Sequence, residues 1–389
     1  MMAMPLALLS RALPDLAEGL AQLPAVNESG PLWAMLTRLL EAHAPSGGAN
    51  LPGAVGGEIA LLAAELGLGE RTIPQIGSTG NAALWLGAEQ PTPDVVIAAH
   101  MDRPSFRVRD ASSGELYPIC ANRFPPGEYR IAARAVRFER GRLTVGAEGV
   151  LVSRRETGAE SLHFAARHGE LAWHDTVLIA APPSLDGERV SGSGLDNSLG
   201  VLTALLAAAA LRAVEGVLIE QGRRCLFVFT DQEEGPPDGF FGHGAARLTG
   251  ALPPPTVGCV VVDAHTAGPG LVPQPGAGVS LSAASGWGRG SVVPPNYHAL
   301  ALDLAADLNA LRPGTAQINT GYLSRSDDMM LGRWAPILGL CGPPVTYPHT
   351  GHETAILSDI QSGAWWLAHF LAAVLGLAPD LAPLYALRR

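Results

Sequence analysis

Residues 94–102 read DVVIAAHMD: Asp94, an unbroken apolar run over residues 95–99, and then His100 and Asp102. A short run of β-branched and small side chains without polar alternation is the signature of a strand buried on both faces. The same pattern recurs in RCLFVFTDQEE (residues 224–234), VGCVVVDAH (257–265) and APILGLCGPPV (335–345). Between these segments lie runs with helical spacing at residues 199–214, 242–252, 296–311 and 353–377. Strands alternating with helices predict an α/β fold with helices on both faces of a sheet.

Residues 103–187 break the rhythm. They offer Arg- and Val-rich alternation with glycines at the turns, as in EYRIAARAVRFERGRLTVGAEGVLVSRR, and no long helical period. Such alternation predicts all-β structure. The simplest organisation is a catalytic α/β domain made of residues 1–102 and 188–389, with a small β-barrel-like domain inserted at 103–187. The Pro- and Gly-rich residues 268–295 read as a long surface loop near the site. The N-terminus, MMAMPLALLSRALPDLAEGL, reads as one amphipathic helix, because Arg11, Asp15 and Glu18 interrupt the apolar core that a signal peptide needs.

Composition narrows the chemistry. The formal charge is -10 and no basic block occurs, which argues against nucleic-acid binding. All 26 basic residues are arginines, so Schiff-base lysine chemistry and a P-loop are excluded. Cys120, Cys225, Cys259 and Cys341 form no CxxC pair and read as buried reduced thiols, which favours a cytoplasmic location. The longest apolar stretches fall short of the ~20 residues of a membrane span, so no membrane partner is expected.

The residues at the carboxyl end of each predicted strand carry the function. His100 and Asp102 stand after the first strand, Glu233 and Glu234 after the second, Asp263 and His265 after the third, and His349 and His352 after the fourth. Ligands of open α/β sheets gather at the carboxyl ends of strands. Asp196 joins them from SGSGLDNSLG, a Gly-rich turn before a long helical run. One histidine after a strand is more often a packing or capping residue than a ligand. Ligand-type side chains at four successive strand ends are another matter. Imidazoles and carboxylates suit zinc, one ion needs three protein ligands and a water, and here there are enough for two ions with a carboxylate such as Asp196 bridging. Rival motifs fail: HETAI lacks the second His of HExxH, no Ser satisfies GxSxG, and the glycines of SGSGLDNSLG do not follow a strand in dinucleotide-binding spacing. Asp327 and Asp328, in SRSDDMM, are weaker candidates for lining a pocket.

In order, AAHMDRPSF, LDNSLG, DQEEG…GHGA, VVDAH and YPHTGHETAILSDI resemble the motifs of the dinuclear zinc aminopeptidase superfamily, most closely the glutamyl-aminopeptidase branch with its tetrahedral dodecameric enzymes. The resemblance covers about residues 94–375. It implies a zinc-exopeptidase type of fold, a mixed sheet between helices, and two divalent ions, zinc or else cobalt or manganese. His100 and Asp263 would hold one ion, Glu234 and His349 the other, and Asp196 would bridge them. Asp102 would orient His100, and Glu233 would act as the general base toward the attacking water. The implied activity is removal of N-terminal residues from peptides by a symmetric homo-oligomer. An amidohydrolase acting on small N-acyl compounds, or a metal-binding assembly protein without turnover, are the alternatives. The chain departs from the branch at Asp196-Asn197-Ser198, where Asp-Asp-Arg is usual, and at EEGPPDGFFGHGA; HMDRPSF and DAH are also similar to the aspartyl aminopeptidases.

Overall fold

The computed structural model describes residues 5–26, 30–120, 122–156, 159–235 and 242–387. The start of the N-terminal segment and residues 236–241 of the EEGPPDGFFGHGA stretch therefore lie outside the described residues.

Eight strands form the main sheet in the order Thr72–Ile73, Ala82–Gly87, Arg224–Thr230, Val95–His100, Gly258–Val262, Ile337–Gly342, Val279–Ser282, Ala316–Ile318. The four in the middle, from Arg224–Thr230 to Ile337–Gly342, run parallel. These are the four apolar runs of the sequence, and Val95–His100, Gly258–Val262 and Ile337–Gly342 are buried along their whole length. Antiparallel neighbours on both sides make the sheet mixed. The helices Leu195–Arg212 and Leu357–Val374 pack on each other and against the sheet. Leu195–Arg212 is long and apolar enough to cross a membrane, with mean hydropathy 1.3, yet 83% of that stretch is buried inside the protein, as befits a core helix.

A closed six-stranded barrel follows the His100 strand, built from Ser105–Asp110, Glu115–Pro118, Gly127–Glu139, Arg142–Glu156, Ala159–Gly169 and Thr176–Ile179. Closure removes the unpaired edges that an isolated small sheet would expose. Phe106, Leu116, Phe124, Leu151, Phe164 and Val177 fill its own apolar core, separate from that of the main sheet. The hairpin of Ser184–Asp186 and Arg189–Gly192 then leaves the barrel and enters a second, five-stranded sheet with Glu353–Ile356, Pro344–Thr346 and His265–Ala267.

Three local expectations are corrected. The N-terminal segment is two helices, Pro5–Ala12 and Pro14–Ala21, because Pro14 has no N–H to continue the first and restricts Leu13 before it. Residues 353–377 do not begin as a helix: Glu353–Ile356 is a strand paired antiparallel with Arg189–Gly192, and the helix starts at Leu357. Residues 268–295 are no open loop either. They contain the buried strand Val279–Ser282, whose short VSLS run is hidden in the sequence between glycines and prolines.

Candidate active site

The carboxyl ends of the parallel strands converge on one cleft. Val95–His100 ends in His100, Arg224–Thr230 leads to Glu233 and Glu234, and Gly258–Val262 delivers Asp263. His349 comes from the turn between Pro344–Thr346 and Glu353–Ile356. Asp196 sits at the mouth of the long core helix, where its backbone and that of Asn197 are not yet helical. Gly194 makes the turn in the left-handed region at φ 82, and a Cβ there would overlap the Arg103 side chain. Arg103 is itself buried, donating to the carbonyls of Leu40 and Ala42 at the end of a neighbouring helix and to Ser198 Oγ.

Asp196 stands between two imidazoles, each with further carboxylates around it, and His100 also shares a group of mutually close donors with Glu233 and Glu234. His100 Nε2 lies 3.3 Å from Asp196 Oδ1 and 3.3 Å from Asp263 Oδ1. His349 Nε2 lies 3.5 Å from Asp196 Oδ2 and 3.0 Å from Glu234 Oε1. The two oxygens of Asp196 thus face different imidazoles. Ligands about 2.0–2.2 Å from one tetrahedral zinc stand roughly 3.3–3.6 Å apart, and these separations match or come close to that edge. Glu234 Oε1 and Asp263 Oδ1 are buried and, apart from the imidazole nitrogens 3.0 and 3.3 Å away, have no hydrogen-bond partner within the protein. Buried carboxylate oxygens without further partners are rare and costly. A divalent cation would satisfy both, so the residues present fit two ions.

Electrostatics point the same way. Burial alone would lower the pKa of His100, but Glu233, Asp196 and Asp263 outweigh it and hold the imidazole well above its ordinary value. His349 is raised likewise against its burial, by Glu234 and Asp196. Burial pushes Glu233 well above the usual carboxylate range, with Glu234, Asp263 and Asp327 adding to the rise against the opposing pull of His100. Asp263 is raised too, first by burial. Glu233 and Asp263 bind protons readily because positive charge is short there, whereas Asp196 is lowered against its burial by His100 and His349.

Two further carboxylates hold the scaffold. The Asp102 carboxylate accepts the main-chain N–H groups of Glu233 at 3.0 Å and Glu234 at 3.2 Å, while it is the Asp102 main-chain carbonyl that lies 3.1 Å from His100 Nδ1. Asp102 therefore ties two strand ends together. Glu353 does the same on the other side, accepting from the N–H groups of Leu195 at 2.6 Å, Asp196 at 3.2 Å and His349 at 3.0 Å. Burial, then the nearby Asp196, pushes Glu353 up to about 8. Sequence patterning gives no sign of Glu353, since it lies in a segment that reads as helical. Tyr322 belongs to no motif either, yet it donates to Asp263 Oδ2 at 3.4 Å and leaves the other oxygen toward His100.

Other expected residues lie outside the cluster. His265 is buried with Nδ1 against Ser280 Oγ at 2.6 Å, and His352 meets the Tyr129 ring edge-on. Asp327 and Asp328 are buried behind the cleft; Asp328 accepts from Ser285 Oγ and from the N–H groups of Ser291 and Ser326, and Asp327 from Thr230 Oγ1. Besides the cluster, the cleft is lined by Arg123, Gly235, Leu323, Ser324 and Arg325.

Solved structures of other proteins share this architecture. A TET aminopeptidase from a marine sediment thaumarchaeote superposes with a TM-score of 0.69 at 15% identity, covering 90% of this chain and 98% of its own. The fold is that of the TET aminopeptidases. The TET1 peptidase of Pyrococcus horikoshii, which assembles into a tetrahedron or a large octahedral shell, superposes at 0.64 with 17% identity, over 87% of this chain and 98% of its own. A Thermotoga maritima protein described as an endoglucanase shares the fold at 0.57 with 18% identity, over 89% of this chain and 99% of its own. No protein-family model matches the sequence, and no curated protein matches it.

Proposed function

We propose that this chain is a dinuclear metal-dependent aminopeptidase that hydrolyses N-terminal residues from peptides. The observation that carries the reading is the pair of imidazoles joined through Asp196, with buried oxygens of Glu234 and Asp263 that have no hydrogen-bond partner besides those imidazoles. The two TET peptidases superpose at 0.64 and 0.69, above the 0.57 of the protein described as an endoglucanase, which supports the choice of a peptide substrate.

His100 and Asp263 would hold one ion, Glu234 and His349 the other, and Asp196 both. When bound, such ions supply the Lewis acidity that makes water nucleophilic at neutral pH and stabilises the oxyanion. Glu233 is the proton carrier: its Oε2 stands 3.9 Å from His100 Nε2, beside the ligands, and its raised proton affinity suits it to accept a proton from the attacking water and pass it to the leaving amine. Asp102 keeps Glu233 and Glu234 in register from behind, through their N–H groups. Glu353 keeps Asp196 and His349 in register in the same way.

The test uses chelator-stripped protein and a panel of free and acetyl-blocked aminoacyl substrates. Stripping should abolish hydrolysis, zinc, cobalt or manganese should restore it, and the free substrates alone should be cut. Undiminished turnover without metal overturns the reading, and a preference for blocked substrates transfers it to an N-acyl amidohydrolase. We propose further a symmetric homo-oligomer, as the Pyrococcus horikoshii TET1 peptidase forms. A mass by light scattering close to the 40.4 kDa of one chain overturns that part.

A further inference from the structure

The barrel brings one chemically distinctive side chain up to the donor cluster. Cys120 is buried and free, in the connection between the barrel strands Glu115–Pro118 and Gly127–Glu139. Its Sγ and the nearest donor atoms of Glu234 and His349 all lie within 4.8 Å of one another. A tetrahedral zinc with a Zn–S bond of about 2.3 Å sets a sulfur roughly 3.5 Å from its oxygen and nitrogen neighbours, so an adjustment of about 1.3 Å at most completes the group. The second observation is Glu234 Oε1, which belongs to a side chain only 5% exposed and, apart from His349 Nε2 at 3.0 Å, has no hydrogen-bond partner. The other three cysteines join no such group of donors among the described residues.

The position is built. Ile119 N–H donates to the Ser105 carbonyl at 2.8 Å, Ser46 N–H donates to Ser105 Oγ at 3.0 Å, and Ser46 Oγ donates to the Glu234 carbonyl at 2.8 Å. That chain of bonds fixes the root of the Cys120 connection against the strand end that carries Glu234. On its far side, Phe124 stacks between Phe106 and Tyr129, and the Tyr129 hydroxyl accepts from Gly351 N–H in the His349 turn. The thiol is held between the two elements that supply Glu234 and His349.

We propose that Cys120 is a sulfur donor to the ion held by Glu234 and His349, so that this half of the site selects thiophilic divalent cations such as zinc or cadmium. The other half, His100 and Asp263 with Asp196, offers only nitrogen and oxygen. The inference rests on the metal reading above and assigns the two halves unequal roles. With Asp196, the half containing Cys120 gains a fourth protein donor, which is the closed pattern of tightly held zinc, while the half of His100 keeps three and an open position. Soft thiolate favours zinc and cadmium over manganese, whereas the all-N,O half discriminates less. On binding, the thiol proton leaves to solvent as the sulfur–metal bond forms.

The experiment is a cobalt titration of stripped full-length protein, followed by absorption spectroscopy and metal counting. Wild type should bind two ions and develop a sulfur-to-cobalt charge-transfer band in the near ultraviolet that saturates with one of them. Cys120→Ser, and Cys120→Ala should the first fold poorly, should lose that band, keep the d–d bands of the other ion and lose the preference for zinc over manganese at one site. Two cobalt ions without a charge-transfer band in wild type overturn this proposal and leave the aminopeptidase reading standing. A band that persists in a folded Cys120 variant overturns it as well. No cobalt binding at all overturns both.

Discussion

The main sheet and the barrel are both β-structure, yet they carry chemistry in opposite ways. In the sheet, the four parallel central strands all end on one side, so that residues as distant as His100, Glu234 and Asp263 meet there. In the barrel, antiparallel strands alternate exposed and buried side chains, as Gly127–Glu139 does, and the apolar ones are consumed by its own core. Among the described residues of the barrel, Arg123 lines the cleft and Cys120 stands beside Glu234 and His349, both from the connection between two strands. Parallel topology concentrates function at strand ends; antiparallel closure builds a wall and leaves function to loops.

The largest expected effect lies at the strand ends, where Glu233 and Glu234 are neighbours with different tasks. Glu233→Gln should keep two metals and a normal fold while turnover falls on the order of 10²-fold or more, the scale of lost general acid-base catalysis. Glu234→Ala should instead lower metal content and thermal stability together, as metal analysis and calorimetry would register. Loss of metal in Glu233→Gln with normal turnover per remaining ion would exchange the two roles.

A change confined to the barrel core tests whether its stability is its own. Phe106 is fully buried and stacks on Phe124 at 5.9 Å. Phe106→Ala should destabilise the protein by about 3–5 kcal/mol, read as a lowered denaturant midpoint, with two metals still bound in the native state. Undiminished stability would mean that the barrel core is loosely packed.

Asp102 tests the sheet from behind the cleft. Asp102→Ala removes the acceptor for the Glu233 and Glu234 N–H groups and should weaken metal binding about 10–100-fold, the usual range for residues that orient ligands. Competition with a chelator measures it. An unchanged affinity would show that the strand ends hold their register without help.

The smallest effect lies where the two regions meet. His43 is half-buried near Arg103 and Arg134, and burial first, then those two charges, lowers it from 6.5 to about 4. A base with a depressed folded pKa is neutral in the native state while the unfolded chain takes up its proton. Its contribution is therefore present above pH 6.5 and lost as pH falls toward 4. His43→Gln should flatten the stability profile in that window, and denaturation at several pH values would reveal an unchanged slope if the assignment fails.

Much of this was legible in the linear sequence. Apolar runs marked the parallel strands because a strand buried on both faces has no choice of composition, and the residues after them had to share one edge of the sheet. Alternation marked the barrel, since one face of each strand meets solvent and the other a core. What only the tertiary structure decided depends on contacts between segments with no common period: that Glu353 begins a strand and clamps Asp196 and His349, that Asp102 reaches Glu233 and Glu234 with its carboxylate and His100 with its carbonyl, and that Cys120 stands beside Glu234. Periodicity reports how a residue meets its own element's face. Which distant side chain waits there is set by packing, and no local pattern encodes it.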